Sequence, residues 1–234
     1  MNVHGNICAV VPVRDTAQAK QRLAGVLSGA QRQELALAML EDVLAALAAV
    51  PELAGILVVT IDAAAAAIAA RHGAHVASDG AREGHTGAVA AAARRLATEG
   101  LDMLELPGDI PLVEADDIRQ LIAVHRSTFG RSPAFTIVPA RDERGSNAVL
   151  CSPADVVPLR FGENSFFPHL AAARACGIEP KVVLLPRIAL DIDTPDDLTL
   201  LLATPLLATL ARTRTHALLD LWRVRLDDGI KVSA

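Results

Sequence analysis

Three aspartates follow apolar, strand-like segments of the chain. Asp109 closes the stretch ELPGD, and Asp191 and Asp193 lie one residue apart in LDIDTPDDL. Because side chains at positions i and i+2 of an extended segment point to the same face, Asp191 and Asp193 could share one cation. Carboxylate oxygens suit Mg²⁺, which usually takes one or two protein carboxylates and completes its shell with phosphate oxygens and water. The pattern therefore indicates a site for a metal ion and a nucleotide.

Each of these aspartates also has a structural interpretation. Asp109 follows a glycine, as turn residues often do. Asp193 or Thr194 could cap the helix that Pro195 begins, since Asp and Thr are common caps and proline is favoured at the first helical position. Asp191 has no comparable capping position, which favours a functional role for the Asp191 and Asp193 pair. Both interpretations stay open, because one residue can serve both purposes.

A basic loop follows the first predicted strand. Arg14, Lys20 and Arg22 lie in VPVRDTAQAKQRL, directly after the apolar run. In open α/β sheets ligands bind at the carboxyl ends of the strands, so these cations could neutralise a triphosphate. The loop lacks the pattern Gly-x-x-x-x-Gly-Lys-Ser/Thr and is therefore not a P-loop. The alternative interpretation is a basic loop that only faces water.

Three polar loops that contain glycine could complete the site. They are EGHTGA at 83–88, ERGSNAV at 143–149 and RFGENSFF at 160–167. Glycine permits close approach of the backbone, and short Ser and Asn side chains add donors, so the loops together could hold a base and an anion. Nothing nearby in the sequence orients His85 as a base, and no Ser-His-Asp or Cys-His arrangement can be assembled. A loop or capping histidine is therefore the simplest interpretation of His85.

The elements that must position these residues alternate between strand and helix. Short apolar runs predict buried strands at 7–13, 56–62, 74–80, 101–109, 134–140, 147–153 and 181–187. Helical spacing predicts helices at 29–50, 63–73, 88–100, 114–126, 166–177 and 195–202. Right-handed connections between such units produce an α/β fold, a mostly parallel sheet with helices on both faces. The strands within 134–150 could be antiparallel additions, which periodicity does not decide.

Composition and apolar patterning limit the class of protein. Net charge is −5 and the basic residues are scattered singly or in pairs, so we expect no binding to nucleic acid. The longest apolar stretch, 198–211, is too short to span a bilayer and contains Pro205, and the N-terminal apolar run is interrupted too early for a signal peptide. We expect a cytoplasmic protein with one domain over 1–204 and a helical tail over 205–234. That apolar tail could form a homodimer surface or close a groove within its own chain.

Five segments, in this order and spacing, resemble the CofC/FbiD family of guanylyltransferases. They are VPVRDTAQAKQRLAGVLS, LPGDIPLVEADDI, RGSNAVL, FGENSF and LDIDTPDDL, and the resemblance covers about residues 7–200. It implies a Rossmann-like, three-layer α/β/α nucleotidyltransferase fold of the GT-A type. It also implies transfer of GMP from GTP to a three-carbon phospho-acid in coenzyme F420 biosynthesis. The acceptor could be 2-phospho-L-lactate, phosphoenolpyruvate or 3-phospho-D-glycerate, and the choice stays open.

The resemblance further implies a role for each candidate residue. One or two Mg²⁺ ions would be held by Asp109, Asp191 and Asp193, which form the catalytic group together with Lys20 and Arg22. GTP would be bound by Arg14, Lys20, Gly84, His85, Thr86, Gly87 and Gly108. The small phosphorylated acid would be bound by Ser146, Asn147, Gly162 and Ser165.

The proposed chemistry agrees with the missing histidine base. A phosphate monoester carries close to two negative charges at neutral pH, so its oxygen can attack without a general base. Two other functions stay open at this point. One is cytidylyl or uridylyl transfer to a sugar or alcohol phosphate by another enzyme of the same fold, and the other is a non-catalytic nucleotide-binding module.

Overall fold

The first strand is buried at every position, as its β-branched run predicts. The computed structural model describes residues 6–129 and 133–222. Within this part of the chain seven strands form one sheet: β1 Ile7–Pro12, β2 Gly55–Val59, β3 His75–Ala77, β4 Asp102–Glu105, β5 Ala134–Pro139, β6 Ser146–Ser152 and β7 Lys181–Val182.

The described sheet is parallel except at β6. Its order is β3-β2-β1-β4-β6-β5-β7, and β6 runs antiparallel to both β4 and β5, whereas β7 is parallel to β5. The predicted α/β fold with a mostly parallel sheet is confirmed. Because Glu105 pairs with Val149, the start of β6 lies beside the end of β4. Ser146 and Asn147 consequently reach the sheet edge at which β4 ends.

Helices cover both faces of the sheet and make three layers. They are α1 Gly29–Ala48, α2 Ala63–Arg71, α3 Gly84–Thr98, α4 Ala115–Phe129, α5 Phe166–Ala175, α6 Pro186–Ala189, α7 Pro195–Leu202, α8 Leu207–Leu210 and α9 Arg214–Leu221. Ile7, Ala9 and Val11 pack with α1, α2 and α4, whereas Cys8 and Val10 pack with α3 on the opposite face. α5 packs on β5 and β6. The alternation along β1 thus divides the core into its two layers.

The predicted strand at 181–187 is wrong over most of its length. The strand pairing with β5 covers Lys181–Val182, and α6 begins at Pro186. Proline fits the first position of a helix, because the N–H that it lacks would have no partner within the helix. Asp191 and Asp193 therefore follow a helical turn instead of a strand.

The predicted loop at residues 84–87 is the first turn of α3. Close packing requires glycine there: a Cβ on Gly87 would lie 2.2 Å from the Cβ of Glu83, and one on Gly80 would lie 2.3 Å from the carbonyl oxygen of Gly87. Gly80 also has a φ of 73°, in the left-handed region that glycine adopts most easily. These glycines therefore bring the preceding turn and the helix start together.

The described part of the tail packs on the body of its own chain. Asp42 of α1 accepts hydrogen bonds from the backbone N–H groups of Arg214 and Thr215, and from the Thr215 hydroxyl at 2.6 Å. Leu210 and Leu219 are buried with residues of α1 and α7. Residues 223–234 of the predicted tail lie outside the described residues, and the homodimer and the domain boundary at 204 stay predictions. No described helix is long and apolar enough to cross a membrane.

Candidate active site

A cleft of about 1320 Å³ opens where β1 and β4 end. Most of the predicted site residues line it. They are Arg14, Lys20, Arg22, His85, Thr86, Gly108, Asp109, Ser146, Asn147, Gly162, Ser165, Asp191 and Asp193. Gly84 and Gly87, in the first turn of α3, lie outside this described lining. The fold thus brings together residues that are far apart in the chain, such as Lys20 and Asp193, which are separated by 173 positions.

Lys20 lies between two of the predicted metal ligands. Its Nζ is 2.5 Å from Asp109 Oδ2 and 2.8 Å from Asp193 Oδ1, and its side chain is only 7% exposed. The residue separates the short helical turns Thr16–Gln18 and Gln21–Leu23, and its φ of 52° is a left-handed conformation that costs a non-glycine residue about 1 kcal/mol or more. We refer to Lys20, Asp109, Asp191 and Asp193 as the ion cluster.

The charges of the ion cluster support one another. Burial alone would lower the pKa of Lys20, but the neighbouring charges of Asp109 and then Asp193 raise it above its usual value. Burial would raise the pKa of Asp193, but the charge of Lys20 lowers it overall. Lys20 and Asp193 are therefore ionised at neutral pH.

Asp191 has a different environment from Asp193. Burial, followed by the negative charges of Asp109 and Asp193, raises its pKa to about 6. Asn147 Nδ2 donates one hydrogen bond to Asp191 Oδ1 at 2.9 Å and another to the Ile188 carbonyl at 3.0 Å. Both amide hydrogens of Asn147 are therefore used to hold Asp191 and the turn before it.

Capping of α7 is performed by residues other than Asp191 and Asp193. The Thr194 hydroxyl accepts from the Asp197 N–H, and Asp197 Oδ2 accepts from the N–H groups of Asp193 and Thr194. This capping box fixes the segment and leaves the Asp193 carboxylate to Lys20. The Ile192 N–H also donates to the Asp109 carbonyl at 3.1 Å, which joins the two acidic segments.

The donor set of the ion cluster fits a divalent cation. No group of three or more His, Cys, Asp or Glu side chains in residues 6–129 and 133–222 is arranged to bind a metal directly, and Lys20 separates two of the three predicted ligands. Asp109 Oδ1, however, is buried and makes no hydrogen bond to any described residue. Such an acceptor costs about 1–3 kcal/mol unless a ligand satisfies it. Three carboxylates against one ammonium also leave negative charge that a cation would neutralise.

A second, neutral cluster lies at the start of β6. Ser146 Oγ is 2.9 Å from His169 Nδ1 and 3.2 Å from Ser165 Oγ, while the Arg160 N–H donates to His169 Nε2 at 3.0 Å. Ser146, Ser165 and His169 are all buried, and we call them the hydroxyl cluster. The sequence predicted both serines but missed His169. Its signal is a histidine one turn after the FGENSF loop, on the apolar helix that the loop begins.

His85 and Thr86 are held by residues that the sequence did not single out. His85 Nε2 is 2.9 Å from Oε1 of the fully buried Glu105, and its ring stacks on Phe161 with centroids 4.3 Å apart. The Thr86 hydroxyl accepts from the Phe161 N–H at 3.0 Å. Burial raises the pKa of Glu105. A glutamate inside the apolar run LELP is the signal that could have identified it, since buried carboxylates require partners.

Arg14, Arg22 and Gly162 are exposed at the rim of the cleft. Arg22 is 61% exposed and pairs with Glu163 at 3.2 Å. An exposed pair of this kind contributes little to stability, so the guanidinium is available to a ligand.

The sequence matches a known protein family over most of its length. The family model described as guanylyl transferase, CofC-like, matches residues 7–204. A phosphoenolpyruvate guanylyltransferase of Roseiflexus castenholzii is 39% identical over 203 residues, which are 86% of this chain and 90% of the relative. A 3-phospho-D-glycerate guanylyltransferase of Colwellia psychrerythraea is 35% identical over 193 residues, which are 82% of this chain and 89% of the relative.

The fold is similar to that of solved structures as well. A protein of Desulfovibrio desulfuricans classed with the nucleotide-diphospho-sugar transferases superposes with a TM-score of 0.74, over 93% of this chain and 95% of the other. The two sequences are 19% identical, so this similarity concerns the fold alone. It confirms the predicted GT-A-like architecture.

Proposed function

This chain belongs to the CofC-like guanylyl transferase family, and from that membership we propose that it transfers GMP from GTP to the phosphate of a three-carbon phospho-acid. Pyrophosphate is the second product. The acceptor class comprises phosphoenolpyruvate, 3-phospho-D-glycerate and 2-phospho-L-lactate, and relatives of similar identity are named for the first two. The reaction would supply an activated intermediate for coenzyme F420 biosynthesis, in the cytoplasm where GTP is available.

The observation that carries the proposal is that two polar clusters of different chemistry line one cleft. The ion cluster offers carboxylates and an ammonium, which suit a metal-bound triphosphate. The hydroxyl cluster offers short donors, which suit a small anion. Two anionic substrates need both kinds of group in one site, because each must be neutralised or hydrogen-bonded before they can approach.

The chemical step requires little proton transfer. An oxygen of the acceptor phosphate attacks the α-phosphorus of GTP, and a phosphorus–oxygen bond forms as the bond to the pyrophosphate oxygen breaks. The nucleophile is already anionic, so no general base is needed. Charge moves from the acceptor phosphate to the leaving pyrophosphate, and stabilising that charge is the main task of the protein.

Asp109, Asp191 and Asp193 would hold one or two Mg²⁺ ions in this site, as their hard oxygen atoms and the unpaired Asp109 Oδ1 favour. When bound, Mg²⁺ supplies charge neutralisation and orientation of the phosphate oxygens. Lys20 would then leave one or both carboxylates and donate to a phosphate oxygen. Arg14 and Arg22 would close on the triphosphate from the rim, with Arg able to make two parallel hydrogen bonds.

The nucleotide base would lie against His85 and Thr86. The stacked rings of His85 and Phe161 form an aromatic wall beside the cleft, and Glu105 fixes His85 through its Nε2. Gly108 lies in the cleft lining next to Asp109, and a Cβ there would approach Leu40 to 3.3 Å. The acceptor would bind to Ser146, Ser165 and the Gly162 backbone, with Asn147 acting through Asp191.

A product assay tests the proposal directly. The protein is incubated with Mg²⁺, one of the four nucleoside triphosphates and one of the three acids, and the product mass and pyrophosphate release are measured. We expect a guanosine diphosphate-linked acid with one of the acids and GTP. Product from CTP or UTP with a sugar phosphate would instead identify another nucleotidyltransferase.

A thermal-shift measurement separates an inactive binding module from an enzyme. A ligand present at 100 times its dissociation constant stabilises the protein by roughly 2.7 kcal/mol. GTP with Mg²⁺ should therefore raise the melting temperature. A shift without any product would support the binding module, and neither shift nor product would contradict both functions.

A further inference from the structure

We propose that His169 is a positioning residue for the acceptor: it fixes the hydroxyl protons of Ser146 and Ser165 so that the pair donates one hydrogen bond into the cleft. This inference rests on the proposed function for the identity of the anion. His169 itself is 1% exposed and lies behind the serines, so it acts through them and not by contact with the substrate.

The first step is the tautomer of His169. Its Nε2 lies 3.0 Å from the backbone nitrogen of Arg160. A backbone N–H can only donate, so Nε2 must present its lone pair, and the ring proton must be on Nδ1. The buried environment lowers the pKa of His169 to about 4, which keeps the ring neutral at physiological pH.

The second step is the direction of the bond to Ser146. Because Nδ1 carries the proton, His169 donates to Ser146 Oγ across their 2.9 Å contact. Ser146 therefore cannot use its own proton towards the histidine. The neutral imidazole is in this way a fixed donor, and Ser146 Oγ is a fixed acceptor on that side.

The third step is a count of hydroxyl protons. Ser146 and Ser165 have two between them, and one is used in the 3.2 Å bond that joins their oxygen atoms. Among the residues that the structure describes, none accepts the other. Both serines line the cleft, so the remaining proton is directed there, whichever of the two serines carries it.

The consequence is that the serine pair always presents a hydrogen-bond donor, and not an acceptor, to the part of the cleft that would bind the phospho-acid. Without the Nδ1–H donor, Ser146 Oγ is no longer held as an acceptor on that side, so its hydroxyl can rotate and the pair can present lone pairs to the cleft. A carboxylate or phosphate group accepts hydrogen bonds, so it would then meet an acceptor. Loss of a hydrogen bond to a charged group weakens binding by about 10- to 100-fold.

The chain contains a matched control in a second buried histidine. His125 of α4 is 4% exposed, and its ring nitrogens lie 2.8 Å from the Thr136 hydroxyl and 2.9 Å from the Ser152 hydroxyl. Burial lowers its pKa to about 4 as well. His125 lies outside the described cleft lining, so its replacement should affect stability without an effect specific to the acceptor.

The kinetic test compares His169→Phe, His169→Asn and His125→Phe in steady-state assays with GTP and the preferred acid. We expect His169→Phe to raise the KM for the acid by about 10- to 100-fold and to leave the KM for GTP within about 2-fold. His169→Asn keeps an N–H donor close to the position of Nδ1 and should recover part of the loss. His125→Phe should change neither KM. Equal changes in both KM values for His169→Phe, or an unchanged KM for the acid, would overturn the inference.

A measurement on the unmodified protein does not depend on variants that fold. Nitrogen-15 NMR distinguishes the two neutral tautomers of histidine, and we expect the His169 signal of the Nδ1–H form. A proton on Nε2 would contradict the inference directly. If the unmodified protein transfers nothing to any of the three acids, the proposed function fails, whereas the NMR result still tests the orientation of the hydroxyl cluster.

Discussion

The ion cluster and the hydroxyl cluster face the same cleft, but their polar atoms are satisfied in different ways. Lys20 occupies the space between Asp109 and Asp193, so a nucleotide or cation must rearrange these groups as it binds. His169 and Ser146 are neutral, and their hydrogen-bond directions are already set without a ligand. One side of the cleft is therefore rearranged by its ligand, whereas the other is preorganised for it.

The first test of this difference is the removal of charge from the ion cluster. Asp109→Asn and Asp193→Asn should each lower turnover by about 100-fold or more, because each removes a proposed metal ligand that stabilises the transition state. Asp116→Asn is a suitable control, since Asp116 is exposed on α4 and pairs with Arg119. Turnover is measured as pyrophosphate release. Near-normal turnover in both cluster variants, with the fold intact, would exclude the metal assignment.

Replacement of Lys20 tests whether its ammonium substitutes for a cation. Lys20→Met should leave Asp109 and Asp193 without a counter-charge and lower turnover by about 10- to 100-fold. The ligand-free variant should melt at a lower temperature than the unmodified protein, and Mg²⁺ alone should raise its melting temperature more. Melting curves with Mg²⁺ and with a chelator provide the comparison. Equal Mg²⁺ shifts in both proteins would contradict the role given to Lys20.

Asp191 of the ion cluster and His169 of the hydroxyl cluster should change the free energy of unfolding with pH in opposite directions. The pKa of Asp191 is raised from 3.8 to about 6 in the folded protein. Its ionised carboxylate therefore destabilises the folded state, fully above pH 6 and progressively less as the pH falls to 3.8. The pKa of His169 is lowered from 6.5 to about 4, so the folded state loses stability as the pH falls through that interval.

Two variants separate these opposite effects. At about pH 7.5 Asp191→Asn should raise the free energy of unfolding by about 1–3 kcal/mol, and the gain should shrink towards about pH 4. His169→Asn should reduce the loss of stability between about pH 6.5 and about pH 4.5. Urea unfolding in a chelator at several pH values measures both. A gain for Asp191→Asn that is the same at every pH would show that charge is not its cause.

The smallest expected effect concerns the rim of the cleft. Glu163→Gln breaks the exposed pair with Arg22 and should change the free energy of unfolding by less than about 0.5 kcal/mol. It should lower the KM for GTP by about 2-fold at most, because Arg22 is then free to bind phosphate. Repeating the assay at high salt is the control, since screening should remove the difference.

Local sequence predicts β1 and α1 well. The run ICAVVP predicts β1, and Ser28 predicts the start of α1, where it forms a capping box with Gln31. Asp109, Asp191 and Asp193 could also be identified, because they follow turns near the ends of apolar segments. These signals depend on residues close together in the chain, which is why the sequence contains them.

Other features depend on contacts that no local pattern contains. The reversed direction of β6 has no signal, because a strand buried on both faces has the same composition in either direction. The position of Lys20 between two carboxylates depends on segments brought together only in the fold. The partner of His85 was missed for the same reason: Glu105 lies 20 residues further along the chain.

The antiparallel direction of β6 has a consequence for how the enzyme family can diversify. Ser146, Gly162, Ser165 and His169 lie on one uninterrupted stretch of chain, from the first residue of β6 to the first turns of α5. The ion cluster, in contrast, is assembled from three distant segments. Recombination of a single genetic segment can therefore exchange the acceptor side of the cleft while it leaves Lys20 and the aspartates in place. Substrate range can therefore evolve by exchange of this one stretch, provided that Asn147, which holds Asp191, and Phe161, which stacks on His85, are retained.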